Sequence, residues 1–182
     1  MIWAAAYVGL VAVLVVRMRA ADAPLPEPAQ PLPGEPLWIT RLHHALLLFV
    51  LAGAPIERLV HRGADAWRLT GVALFAAGVA LYRAGGWALG DALSPFIEPR
   101  DGAPLVTHGL YGVLRHPIYL GQALIAVGAP LTLGCRATLA VSVAAIVVLA
   151  LRIAREEEAL ARTFPDYPRY AAKTKRLVPF VY

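Results

Sequence analysis

Five long apolar runs, separated by short polar connections, set the pattern of this chain. The runs are Ile2–Val16, Leu42–Leu59, Trp67–Trp87, Ile118–Leu133 and Ala137–Leu151. Each approaches the roughly 20 apolar residues that a helix needs to cross the hydrocarbon core of a bilayer. None alternates with the two-residue period of a half-buried strand. The pattern predicts an all-α, multi-pass membrane protein of about five spans, near 2–18, 42–60, 67–87, 117–133 and 137–154. A polar tail follows over 155–182, and the whole reads as one membrane domain, 1–182. No basic stretch precedes the first run and no small-residue cleavage site follows it, so it reads as a retained helix rather than a signal peptide.

The connections refine this picture. Residues 22–36 hold Pro24, Pro26, Pro28, Pro31, Pro33 and Pro36, which excludes helix and favours an extended connector. His43 and His44 are neighbours, so on a helix they point to different faces and make a poor metal pair. They read as interfacial polar residues, and no metal site is expected. Glu57–Arg68 reads as a charged loop. Arg83 lies near an interface or a polar cavity. Gly85, Gly86 and Gly90 are expected to loosen the end of the third helix. Only Gly134-Cys135-Arg136 separates the last two runs, which implies a tight hairpin, with Gly121, Ala123, Gly128 and Ala129 allowing close helix packing.

Composition agrees with the pattern. The chain has 182 residues, 59% hydrophobic and 16% charged, with a mean hydropathy of +0.60 and a pI near 9.7. The formal net charge of +5 belongs to loops facing an anionic leaflet rather than to nucleic-acid binding. Placing the carboxyl terminus in the cytoplasm puts 13 of the 17 Lys and Arg residues on that side, leaving Arg58, Arg62, Arg68 and Arg136 opposite. The positive-inside rule favours this orientation, with the 91–117 connection and the tail facing the cytosol together. The lone Cys135 rules out an internal disulfide and reads as a loop or helix-end thiol.

Two stretches carry dense polar chemistry. Leu105–Gly121 reads Leu-Val-Thr-His-Gly-Leu-Tyr-Gly-Val-Leu-Arg-His-Pro-Ile-Tyr-Leu-Gly. Pro117 suits a first helical turn, whose free amides favour an anionic group. The second stretch is Arg152, Arg155, Glu156, Glu157 and Glu158. Arg152 and Glu156 stand four apart and share a helix face. They read either as a helix-end ion pair or as charges facing a cavity at the edge of a span. Tyr111 and Tyr119 read alternatively as interfacial aromatics, and His108 as a solvated loop residue.

The pattern Leu-Val-Thr-x-Gly-x-Tyr-x-x-x-Arg-His-Pro-x-Tyr-x-Gly resembles the signature of the isoprenylcysteine carboxyl methyltransferase family. Glu157-x-x-Leu160-x-x-x-Phe164, then Tyr167, Tyr170 and Arg176-Leu177-Val178-Pro179, is similar to that family's carboxyl-terminal pattern. The likeness covers about residues 89–179. Leu110 and Gly112 depart from it, standing where family members often have proline and a basic residue. The resemblance implies an integral membrane methyltransferase using S-adenosylmethionine, with a cofactor pocket formed by the 91–117 connection and the tail. The membrane would be of the bacterial inner-membrane type. Cofactor contacts are implied for Pro104, Leu105, Val106, Gly109, Tyr111, His116, Pro117, Tyr119 and Glu156, and catalytic roles for Arg152, Glu156 and Arg115. The acceptor would be lipidic or apolar, with a carboxylate favoured; a phospholipid amine or small thiol stays open. A membrane NADPH-dependent reductase of the sterol-reductase kind is a second reading, and a non-enzymatic scaffold a third. The scaffold has no need of Arg115, His116 and Glu156 together.

Overall fold

The computed structural model describes residues 2–15, 36–60 and 66–177. They form six α-helices: α1 (Ile2–Val15), α2 (Leu37–Val60), α3 (Arg68–Leu89), α4 (Pro117–Leu133), α5 (Arg136–Thr163) and the short α6 (Tyr167–Lys173). Short 3-10 turns cover Gly90–Ala92 and Gly109–Gly112. Among the described residues no strand forms, and the one bridge joins Leu114 to Lys175. The all-α expectation therefore holds. Of the five apolar helices, α2, α3 with its following turn, and α5 are long and apolar enough to cross a membrane, whereas α1 and α4, with 14 and 17 residues, are shorter.

Several boundaries differ from the sequence reading. The second helix starts at Leu37, more than a turn earlier than expected, and runs through Pro55 to Val60. Glu57–Val60 is thus helical rather than loop, while 61–65 lie outside the described residues. The end of the first expected span, 16–18, and the proline-rich connector up to residue 35 also lie outside them. The third helix does not loosen at Gly85 and Gly86; it continues to Leu89.

The reason lies in how α3 meets α4. Gly71, Gly78 and Gly85 recur every seven residues and present one face of α3. A Cβ on Gly71 would sit 2.3 Å from the Thr132 amide nitrogen, and one on Gly78 would sit 2.7 Å from the Gly121 carbonyl oxygen. On α4, a Cβ on Gly128 would sit 2.4 Å from the Phe75 amide nitrogen. The two backbones approach so closely that no side chain fits between them. In a bilayer this is what drives association, because lipid tails offer apolar side chains as good a solvent as a neighbouring helix does. Phe75, Val79, Ile125 and Ala129 pack beside the seam, with Tyr7 from α1 and Ala54 from α2.

Polar contacts tie the remaining helices. Tyr7 donates to the Leu51 carbonyl. Ser142 Oγ donates to the Ala126 carbonyl at 2.5 Å. The Glu57 carboxylate accepts from the amides of Ala137 (3.0 Å) and Thr138 (2.7 Å), which caps α5 with a negative charge at the positive end of its dipole. The expected α4–α5 hairpin turns at Gly134, in the left-handed region with φ 73°. Cys135 is buried at the start of α5, its thiol facing the Ala54 carbonyl at 3.0 Å.

At the other end the tail folds back onto the strand-like residues before α4. The Arg115 amide donates to the Lys175 carbonyl at 2.7 Å, and the Lys175 amide donates to the Val113 carbonyl at 3.1 Å. Glu157 fastens this junction: its carboxylate takes Arg115 Nε at 2.8 Å, His116 Nε2 at 3.2 Å and Arg176 Nη2 at 2.5 Å. Arg115 Nη1 also donates to the carbonyls of Ala171 (2.8 Å) and Thr174 (2.5 Å).

Gly128→Val puts side-chain atoms into the Phe75 backbone and should destabilise the protein by at least the ~1–3 kcal/mol of an overpacked core. This reads as a lower midpoint of thermal unfolding in detergent. Gly9→Ala, where an added Cβ meets nothing within 4 Å, should leave the midpoint unchanged or raised. Glu157→Gln keeps the shape but strips the charge from three donors. It should cost about 1–3 kcal/mol and speed proteolysis of the tail; equal proteolysis rates would refute the fastening role.

Candidate functional site

The carboxyl end of α3, the start of α4 and the carboxyl-terminal half of α5 come together at one end of the helix bundle. The 90–116 connection and the tail cover them. Between them lies a cavity of about 840 Å³, within the size range of small-molecule and cofactor sites. Of the residues singled out by sequence, Pro104, Leu105, Val106, Tyr111, Arg115, His116, Tyr119, Arg152 and Glu156 all line it. Gly109 does not: it is exposed, with φ 60°, at the head of a 3-10 turn. Pro117 is buried behind the cavity at the first turn of α4. Arg83 lines the cavity, as one of its expected placements had it.

Charge is arranged around one ring. Tyr119 is 6% exposed, and its hydroxyl donates to Glu156 Oε2. The Arg152 guanidinium lies over the face of the same ring, its Cζ 5.4 Å from the centroid, a cation–π arrangement. His116 stacks against Tyr119 with centroids 5.5 Å apart. His116 Nδ1 is 3.7 Å from Glu156 Oε1. The shared helix face did not produce an ion pair between Arg152 and Glu156. Arg152, 2% exposed, instead donates to the Pro95 carbonyl at 2.6 Å and to His44 Nε2 at 3.4 Å. Among the described residues it pairs with no carboxylate. A buried cation without an anion is costly unless something offsets it, so this end of the cavity favours an anionic guest.

His43 and His44 depart from the interfacial expectation. Because α2 starts at Leu37, they sit about two turns inside it. His43 is buried against Gln122 Oε1 at 3.0 Å, and His44 lines the cavity. An arginine only donates, so His44 Nε2 facing it is the unprotonated nitrogen. Gln122 and Pro95 also line the cavity, and sequence reasoning passed over both. For Gln122 the available signal was a polar residue within an apolar run, a candidate site residue in any membrane helix; Pro95 gave no such signal.

Arg115 bonds to Glu157 and to the carbonyls of Ala171 and Thr174, and so holds the tail over the cavity. The tail supplies tyrosines in return. Tyr170 donates to the Tyr111 carbonyl at 2.7 Å, and the Tyr111 hydroxyl faces the Gly85 carbonyl at 3.4 Å. Burial, and then the charge of Glu156, hold the Tyr111 phenol well above its ordinary value; burial pushes Tyr170 up to about 12. Both stay protonated at neutral pH and serve as donors, not bases. Over the mouth, Ile97 is buried with Ile39, Val148 and Ala159, and Glu98 meets Arg162 at 2.9 Å.

Comparison with known proteins fits this geometry. The chain is 34% identical over 90 residues to the nickel-cobalt-cadmium resistance protein NccN of Alcaligenes xylosoxydans xylosoxydans, covering 46% of this chain and 40% of that protein. It therefore spans less than half of that relative. Its fold is similar to that of the eukaryotic intramembrane Ras methyltransferase ICMT (isoprenylcysteine carboxyl methyltransferase), with a TM-score of 0.56 at 20% identity, over 82% of this chain and 55% of that one. Residues 67–167, from the start of α3 to the start of α6 and more than half of the chain, match the phospholipid methyltransferase family. With its apolar helices and its cavity at the α3–α4–α5 junction inside the matched region, this chain belongs to the phospholipid methyltransferase family.

Proposed function

We propose that the chain is a single membrane domain that transfers a methyl group from S-adenosylmethionine to a lipidic or apolar acceptor, a carboxylate being favoured. The observation that carries this reading is a buried cation and a carboxylate at one aromatic ring of a largely apolar cavity. Glu156, held by the Tyr119 hydroxyl and close to His116, suits the cationic amino end of the cofactor. Leu105, Val106 and Phe96 offer apolar walls for an adenine. The residues present therefore fit the cofactor that the family implies. Bound there, it would supply an electrophilic methyl group.

The chain's own contribution is binding, orientation and exclusion of water. Arg152 attracts an anionic acceptor head toward the same ring that holds Glu156, and positioning of this kind supplies much of the catalysis in a transfer between two bound partners. A carboxylate needs no base to accept a methyl group, whereas an amine or thiol must lose a proton. His44 Nε2 is turned to Arg152 and His116 to Glu156 and Glu157, and an amine would bring a second cation beside Arg152. Leu14 and Val15 of α1 also line the cavity, which suits an acceptor with an apolar chain arriving from the bilayer.

Calorimetry of the purified protein in detergent should show saturable S-adenosylmethionine binding, weakened about tenfold or more in Glu156→Gln, the usual scale for losing a bond to a charged group. NADPH should not bind. NADPH binding without S-adenosylmethionine binding would refute the methyltransferase reading in favour of the reductase. We also propose that the tail faces the cytoplasm. In a Cys135→Ala background, Lys173→Cys should react in intact cells only with membrane-permeant maleimides; labelling by an impermeant reagent would reverse the orientation.

A further inference from the structure

Arg152 and Glu156 are placed one turn apart on α5, where a cation and a carboxylate ordinarily pair. In a buried site of low polarity their attraction is stronger than on a surface. An ion pair there would neutralise the two charges that the proposed reaction uses. What stands between them is Tyr119, brought in from α4. Its ring carries Arg152 on one face, His116 stacks on the ring, and its hydroxyl engages Glu156. Arg152 is drawn the other way by the Pro95 carbonyl and His44. Glu156 is drawn toward His116.

We propose that Tyr119 is a positioning residue that keeps Arg152 and Glu156 apart, so that one site presents an uncommitted carboxylate to the cofactor and an uncommitted cation to the acceptor. This rests on the methyltransferase reading above for what the two charges bind. The separation itself is a property of the unliganded protein. The ring is the spacer, and the hydroxyl is the hook that holds Glu156 on its own side. The seam of glycines beneath it sets where the ring stands, because Gly121 lets α4 approach the Tyr82 backbone, a Cβ there falling 2.6 Å from the Tyr82 amide nitrogen.

Two measurements test this, one of them independent of any ligand. The first is a double-mutant cycle on the thermal midpoint of the unliganded protein, using Arg152→Gln and Glu156→Gln. The two substitutions should be additive with Tyr119 present. In the Tyr119→Leu background they should become coupled, with the pair stabilising the protein. Additivity in both backgrounds would overturn the proposal. The second is S-adenosylmethionine binding by calorimetry. Tyr119→Leu should weaken it about tenfold or more, and adding Arg152→Gln should restore several-fold of the loss by releasing Glu156. A role for Tyr119 in packing alone predicts no restoration, and that result would overturn the proposal. Tyr119→Phe keeps the ring and the fold. It should weaken cofactor binding through loss of the hook, and Arg152→Gln should not restore it; restoration there would show that the ring is not the spacer. Failure of the wild-type protein to bind S-adenosylmethionine would overturn the methyltransferase reading, and with it the ligand roles assigned here. Normal wild-type binding with no effect of Tyr119→Leu would overturn this proposal alone.

Discussion

The contact on which the rest depends is the α3–α4 seam. Apolar side chains gain nothing by leaving lipid for one another, so two helices in a bilayer associate where their backbones come close enough for dense packing and polar contact. Glycines every seven residues on α3, met by Gly121 and Gly128 on α4, give that closeness along the whole helix pair. The seam fixes the depth and rotation of α4. It thereby fixes His116 at its N-cap and Tyr119 and Gln122 in its first two turns, all of which line the cavity. Any side chain added to the seam would shift the ring around which the site's charges are ordered.

A second constraint closes the site. Glu157 gathers Arg115, His116 and Arg176, from segments distant in sequence, around one carboxylate. Each partner is only partly exposed, so screening by solvent is limited and the contacts are worth more than surface ion pairs. The adjacent residue, Glu156, has a different task. It faces the cavity, bonded to Tyr119 rather than to an arginine. Neighbouring glutamates on one helix thus divide into a fastener and a cavity-facing carboxylate because the helix turns about 100° between them.

The polar groups inside the bundle follow the same economy. His43 meets Gln122, Ser142 meets a carbonyl of α4, and Tyr7 meets one of α2. Among the described residues, the buried Arg152 is met by neutral groups and an aromatic face and by no carboxylate. Its burial costs hydration that no anion offsets, and that imbalance is what supports the proposal that Arg152 meets a ligand.

The sequence by itself determined the helical class, the apolar segments, the α4–α5 hairpin and, within the cavity lining, the polar group Tyr111, Arg115, His116, Tyr119, Arg152 and Glu156. Hydrophobic runs and turn residues are local signals, and the stretch 105–121 carried its chemistry in consecutive residues. It did not reveal that Gly85 belongs to a seam, since a glycine that breaks a helix and one that admits a neighbour are the same letter. Nor did it reveal that α2 starts early enough to carry His44 into the cavity, or that Gly109 would lie outside it. Only the tertiary structure decided between the two readings of Arg152 and Glu156. The spacing of four allowed a pair, and a ring from another helix, placed by packing far from α5 in sequence, kept them apart.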